Sequence, residues 1–222
     1  MDLADDGLRR AAAYERLPGL RARRLGLTLA GRNIDFVVWG YYPPSRWRNY
    51  LHNHSYFEVC FAYAGEGPFR LQDSEFDISP GTAFVARPGD LHEIDASTLD
   101  PLGIAFWSLT VGSGTGEPDW LAGLTDRTAS PVTTRVDGVE AILDLLAASL
   151  SAGGGDSERA DALARTLAVE TVRRSPTRPC PRRSRTRRPP TPPHWPLRPC
   201  TGTCATTWTA RCRCAMSPLR CI

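Results

Sequence analysis

The sequence predicts a mainly β domain, closed into a barrel, followed by an α-helical hairpin and a disordered tail. Three observations carry this. Between Ile34 and Val111, short apolar runs alternate with turn residues at nearly every junction, the spacing of a sandwich or barrel. From Val139 the apolar period becomes helical, through Ile142, Leu143, Leu146 and Leu150. Beyond Arg173 there are ten prolines, no acidic residue and no apolar period, so that stretch cannot bury a core.

Taken in order, residues 8–25 suggest a short helix broken near Pro18-Gly19. Ile34–Trp39, with the sequence IDFVVW, reads as a strand. The next stretch, GYYPPSRWRNYL, reads as a loop because of its two prolines. Its aromatics Tyr41, Tyr42, Trp47 and Tyr50 either rim a barrel mouth or cover an open edge. Further strands are expected at Tyr56–Tyr63, Pro68–Gln72, Glu75–Ile78, Thr82–Ala86 and Leu102–Val111. The connector VGSGTGEP has no phosphate-loop lysine and opens no βαβ unit, which argues against nucleotide binding. An amphipathic helix then runs from about Asp137 to Ser151. Ala152-Gly153-Gly154-Gly155 ends it, and Asp156 or Ser157 caps a second helix reaching about Arg173. The pair makes an antiparallel hairpin.

The richest stretch is His52 to Ile94, which holds three of the four histidines. If His52–Ala62 is one strand, His52, His54, Tyr56, Glu58 and Cys60 share a face, and Phe57, Val59, Phe61 and Tyr63 share the other. A strand buried on both sides but polar on one suggests a sheet wrapped around a pocket. HxHxxxE followed by Gly65 resembles the first motif of the cupin barrels, and Pro88-Gly89-Asp90-Leu91-His92 resembles their second. The family's glycine six residues before the first histidine is Arg46 here. The runs YFEVCFAYAGEGPFRL and ISPGTAFVARPGDLHEI are similar, within the cupins, to the effector-binding domain of AraC-type transcription regulators.

That resemblance covers residues 30 to 110 well and the helices to 173 more loosely. It implies a cupin-like jelly roll and the following organisation: an N-terminal arm (1–29), an effector-binding barrel (30–116), a helical dimerisation segment (117–173) and the tail (174–222). It implies a small organic effector, such as a sugar or an aromatic acid, contacted by His52, His54, Tyr56, Glu58, His92, Trp39 and Trp107. It also implies a homodimer through residues 137–173, and DNA binding only in an intact full-length form. No enzymatic activity and no cofactor are expected. The alternative is a metal-dependent cupin enzyme, an isomerase or dioxygenase, with His52, His54, Glu58 and His92 holding a divalent transition metal, since neutral imidazoles plus a carboxylate suit such ions. A purely structural reading has His52 and His54 half-solvated at the mouth and Glu58 paired with Arg70 or Arg87.

The formal net charge of +3 conceals a split. Residues 1–173 hold 16 arginines and all 24 acidic residues, and residues 174–222 hold 11 arginines and none. There is no lysine, which points to a GC-rich gene. Cys60 stands alone before the tail, and the other six cysteines lie in it. A lone cysteine in the folded part suits a reducing cytoplasm. The first residues lack a signal-peptide core, and no apolar run approaches the ~18 residues of a membrane span.

The tail has three readings: a basic nucleic-acid arm, a zinc module from Cys200, Cys204, Cys212 and Cys214, and translation in a shifted frame. Reading residues 199–222 from the third codon base, with G or C preferred, yields LHWYMRDHLDRPLSLRDVAAAVH, which resembles the opening of an AraC-type helix-turn-helix domain. A frameshift near residue 174, natural or a sequencing error, is therefore expected.

Overall fold

The computed structural model describes residues 3–23, 25–29, 31–96, 100–114, 124–133, 136, 138–151 and 157–173. Helix α1 (Leu3–Tyr14) and a 3-10 helix (Leu17–Arg23) precede ten strands. These are β1 (Gly26–Leu29), β2 (Arg32–Tyr42), β3 (Arg48–His52), β4 (Phe57–Ala64), β5 (Gly67–Leu71), β6 (Ser74–Ile78), β7 (Ala83–Ala86), β8 (His92–Asp95), β9 (Gly103–Val111) and β10 (Val132–Thr133). Helices α2 (Val139–Ser151) and α3 (Ser157–Arg173) follow. The strands form two antiparallel sheets, in the orders β1-β2-β9-β4-β7-β10 and β3-β8-β5-β6. This is the jelly-roll plan expected of a cupin-like barrel.

Strand alternation sorts the side chains into two cores. Cys60, Ala62, Phe84 and Ile104 from the larger sheet meet Phe69, Phe76, Ile78 and Ile94 from the smaller one, so this cluster lies between the sheets. On the opposite face of the larger sheet, Phe57, Val59, Phe61, Trp107 and Leu109 pack under Tyr14, Leu143, Leu146 and Leu167. The helical hairpin therefore spends its apolar stripe on its own barrel. Tyr14 also donates a hydrogen bond to Asp144 at 2.7 Å, tying α1 to α2. The segment 1–29, expected as an arm, sits in this core through Ala11, Tyr14, Leu17 and Leu20.

Several expectations are corrected. The N-terminal helix breaks at Glu15-Arg16, before Pro18, which fits into the 3-10 turn. The GYYPPSRWRNYL stretch is loop only at 43–47, because β2 runs to Tyr42 and β3 starts at Arg48. Tyr42 stacks on Trp47 at 4.3 Å, and Trp47 donates from Nε1 to the Leu102 carbonyl at 2.9 Å, so this pair closes the interior. Tyr50 is exposed. The chain from His52 to Glu58 is not one strand, since residues 53–56 cross from the smaller sheet to the larger. Gly65 has φ of +63°, and a Cβ there would lie 1.9 Å from the Pro101 carbonyl oxygen, so only glycine fits. Among the described residues, no helix is long and apolar enough to cross a membrane. The glycine turn after α2 and the whole tail with its cysteines lie outside the described residues.

Candidate functional site in the barrel

The crossover is what assembles the site. His52 ends β3 and pairs in register with His92, the first residue of β8. His54 sits on the crossover, and Glu58 is the second residue of β4. Gly89, at φ +78°, donates its N–H to the His54 carbonyl at 2.8 Å, pinning the turn before His92 against the crossover. One ligand atom from each of His52, His54, Glu58 and His92 lies within 4.8 Å of the others.

Each imidazole is oriented by a carbonyl two residues away. His52 Nδ1 lies 2.7 Å from Tyr50 O, His54 Nδ1 2.8 Å from Tyr56 O, and His92 Nδ1 2.9 Å from Asp90 O. A carbonyl only accepts, so each Nδ1 carries a proton and donates it. The Nε2 atoms face the centre. Those of His54 and His92 are buried and have no hydrogen-bond partner. They stand 3.6 and 3.4 Å from Glu58 Oε2, with side chains 8 % and 1 % exposed against 12 % for Glu58.

Bare Nε2 atoms and a carboxylate are all acceptors, so their crowding is attractive only if a cation, proton or hydrogen-bond donor sits among them. Burial pushes the Glu58 carboxyl up, but where His54 and His92 carry a proton on Nε2, their hydrogen bonds and charge outweigh it and hold its pKa down to about 2. Burial also lowers the His52 pKa below its ordinary value, keeping that ring neutral. Three oriented imidazoles and a carboxylate are a donor set that fits a divalent transition metal, and the unpartnered Nε2 atoms of His54 and His92 are where it would bind.

Of the other expected contacts, Tyr56 stacks on the His54 ring at 4.1 Å, beside the cluster. Trp39 and Trp107 are not beside it. They stack on each other at 6.3 Å in the core beneath the helices, because their positions on β2 and β9 have the outward parity. Glu58 meets neither arginine: Arg70 bonds Glu75 and Glu93, and Arg87 bonds the Leu124 carbonyl. Phe69, 6.4 Å from His92, was missed, whereas Tyr42, expected at the barrel mouth or over an open edge, lies near enough for its hydroxyl to feel the Glu58 charge. For Phe69 the signal was available, since it faces inward on a strand alternating with Arg70.

A closed jelly roll with polar groups converging in its lumen defines a small-molecule-binding barrel of the cupin class. The family described as the AraC-like ligand binding domain matches residues 40–168, and this chain belongs to that family. The uncharacterized HTH-type transcriptional regulator YfiF of Bacillus subtilis is 25 % identical over 108 residues, 48 % of this chain and 33 % of that protein. The chain thus spans about a third of that regulator. Among solved structures, a cupin protein from Bacteroides fragilis is 19 % identical, with 41 % of this chain and 75 % of that one covered at a TM-score of 0.29. KdgF from Halomonas sp. is 20 % identical, with 40 % and 88 % covered at a TM-score of 0.28.

Proposed function

We propose that this chain is the sensing part of an AraC-type transcription regulator of the cytoplasm, and that the His52, His54, Glu58 and His92 cluster, with Tyr56 beside it, binds its small organic effector. The observation that carries this is the pair of buried, partnerless Nε2 atoms facing a buried carboxylate. They fit hydroxyl or other donor groups of a sugar, or the ring and protonated acid group of an aromatic acid. Effector binding shifts the balance between arrangements of the helices that contact the rest of the regulator. A homodimer through residues 137–173 belongs to this reading. It must use the outer side of the hairpin, where Leu145 is exposed, because Val139, Leu143, Leu146 and Leu167 are buried. The 174–222 stretch is a shifted-frame product in this reading, so the chain as given binds no specific operator. The nucleotide sequence across codon 174 tests that last point, and a shifted frame without a helix-turn-helix pattern defeats it.

The test of the sensor reading is thermal unfolding of purified, metal-free protein with a panel of sugars and aromatic acids. A compound that raises Tm for the wild type but not for His92→Ala supports it, and a panel without effect on either counts against it.

A second reading is favoured by the donor set itself: the four side chains hold a divalent transition metal, as in metal-dependent cupin enzymes. Such a metal supplies Lewis-acid or redox chemistry. The residues of this chain would hold it through three Nε2 atoms and a carboxylate oxygen. Purified protein carrying near one equivalent of metal, lost on His52→Ala, selects this reading.

A further inference from the structure

A second polar cleft lies at the open edge of the sandwich, between the β5–β6 turn and the segment 127–131. It encloses about 530 Å³ and is lined by Gln72, Ser74, Phe76, Arg87, Asp90 and Arg127, among others. Arg87, just after β7, is 3 % exposed. Its Nε donates to the Leu124 carbonyl at 2.8 Å, while its Nη2 is buried without any hydrogen-bond partner. A guanidinium is always charged and presents its donors as a rigid fork. Burying one with an unused arm against a cleft is unfavourable unless something fills that arm.

Among the described residues, the acids near Arg87 are Asp90 and Asp126, and both are engaged elsewhere. The Asp90 carboxylate accepts from the Arg87 backbone N–H at 3.1 Å and from Arg127 Nη1 at 2.5 Å. Asp126 accepts from the N–H and hydroxyl of Thr128, each at 2.7 Å. The Ser130 hydroxyl is likewise used by Val132. Among the described residues lining the cleft, the Arg87 arm is a buried charged donor without a partner, and the exposed Arg127 at its edge donates to Asp90 and to the Pro88 carbonyl and has further N–H groups to offer.

We infer that this cleft binds a small carboxylate anion, gripped by Arg87 Nη2 and by Arg127. The carboxylate matches the guanidinium fork in shape and charge, and Phe76 in the lining offers an apolar contact for its carbon chain. The site is distinct from the barrel cluster, although Asp90, which lines it, also lends its carbonyl to His92. The inference does not depend on what the barrel binds, and its failure leaves that reading untouched.

The test is calorimetric titration of the full chain with succinate and with its neutral diamide, at matched ionic strength. The expected result is one succinate bound with Kd of about 1 mM or tighter, no binding of the diamide, and loss of succinate binding in Arg87→Met. In Arg127→Ala the affinity falls about tenfold, and in Arg70→Gln, which removes the same charge from the outer face, it is unchanged. Arg127 is exposed, so its variant keeps the test valid if Arg87→Met does not fold. The inference is overturned if the wild type takes up no succinate at concentrations of about 10 mM. It is equally overturned if the diamide binds as well as succinate, or if Arg127→Ala and Arg70→Gln weaken binding alike.

Discussion

The two faces of β4 make opposite uses of one strand. Phe57, Val59, Phe61 and Tyr63 point under the helices, where they are sealed by Tyr14, Leu143, Leu146 and Leu167. Glu58, Cys60 and Ala62 point between the sheets, and Glu58 draws the histidine rings around it. The first face buys stability through apolar area removed from water. On the second, the Nε2 atoms of His54 and His92 are kept from water without hydrogen-bond partners of their own, beside the Glu58 carboxylate. The contrast teaches where function resides: the polar face carries an unmet demand that a ligand can meet, and the apolar face holds the strand still while it does.

The comparison breaks first at the helix-facing core. Leu143→Ala empties a fully buried position and should lower unfolding free energy by about 2–5 kcal/mol, read by denaturant titration. A loss under about 1 kcal/mol would mean that the hairpin is not sealed on the barrel. On the polar face the expected effect is pH-dependent. The Glu58 pKa is depressed to about 2 in the folded chain from an ordinary 4.5, so its contribution is complete above 4.5 and disappears as pH falls through 2. That amounts to about 3 kcal/mol, visible as a slope in acid unfolding that Glu58→Gln removes. A Glu58→Gln variant with the wild-type acid slope would place the carboxylate outside the imidazole cluster.

Smaller effects sharpen the picture. Tyr14→Phe deletes the hydrogen bond to Asp144 and should cost about 1 kcal/mol without altering the barrel site. Burial and the neighbouring Asp144 raise the Tyr14 pKa far above the alkaline range, so that hydroxyl stays protonated whenever the chain is folded. Arg70→Gln dissolves an ion-pair cluster with the part-buried Glu75 and the buried Glu93, and because Arg48 still pairs with Glu93 the expected loss is about 1 kcal/mol. A larger loss would show that the smaller sheet needs its outer charges to hold His92 in place.

Much of this was legible in the sequence, and the misses have physical causes. Alternation along Phe57–Tyr63 gave both faces of β4 correctly, because side-chain direction on a strand follows parity alone. The convergence of His52 with Glu58 was also anticipated, but for a partly mistaken reason. Parity within one strand was invoked, whereas the chain leaves one sheet at His52 and enters the other at Phe57. Trp39 and Trp107 were misplaced because an aromatic pair looks the same to composition on either face of a sheet, and only strand register put them under the helices. β3 was hidden by the two prolines ahead of it. The burial of Arg87 had no sequence signal, since nothing local distinguishes a buried arginine from a solvated one.

The most direct measurement of the central claim is the long-range proton–nitrogen NMR spectrum of the histidine rings at neutral pH, with and without zinc ion as probe. The account predicts a protonated Nδ1 on His52, His54 and His92, and Nε2 resonances of all three that move together when zinc is added. A bare Nδ1 on His54 or His92, or Nε2 signals indifferent to zinc, would contradict the convergence on which the site depends.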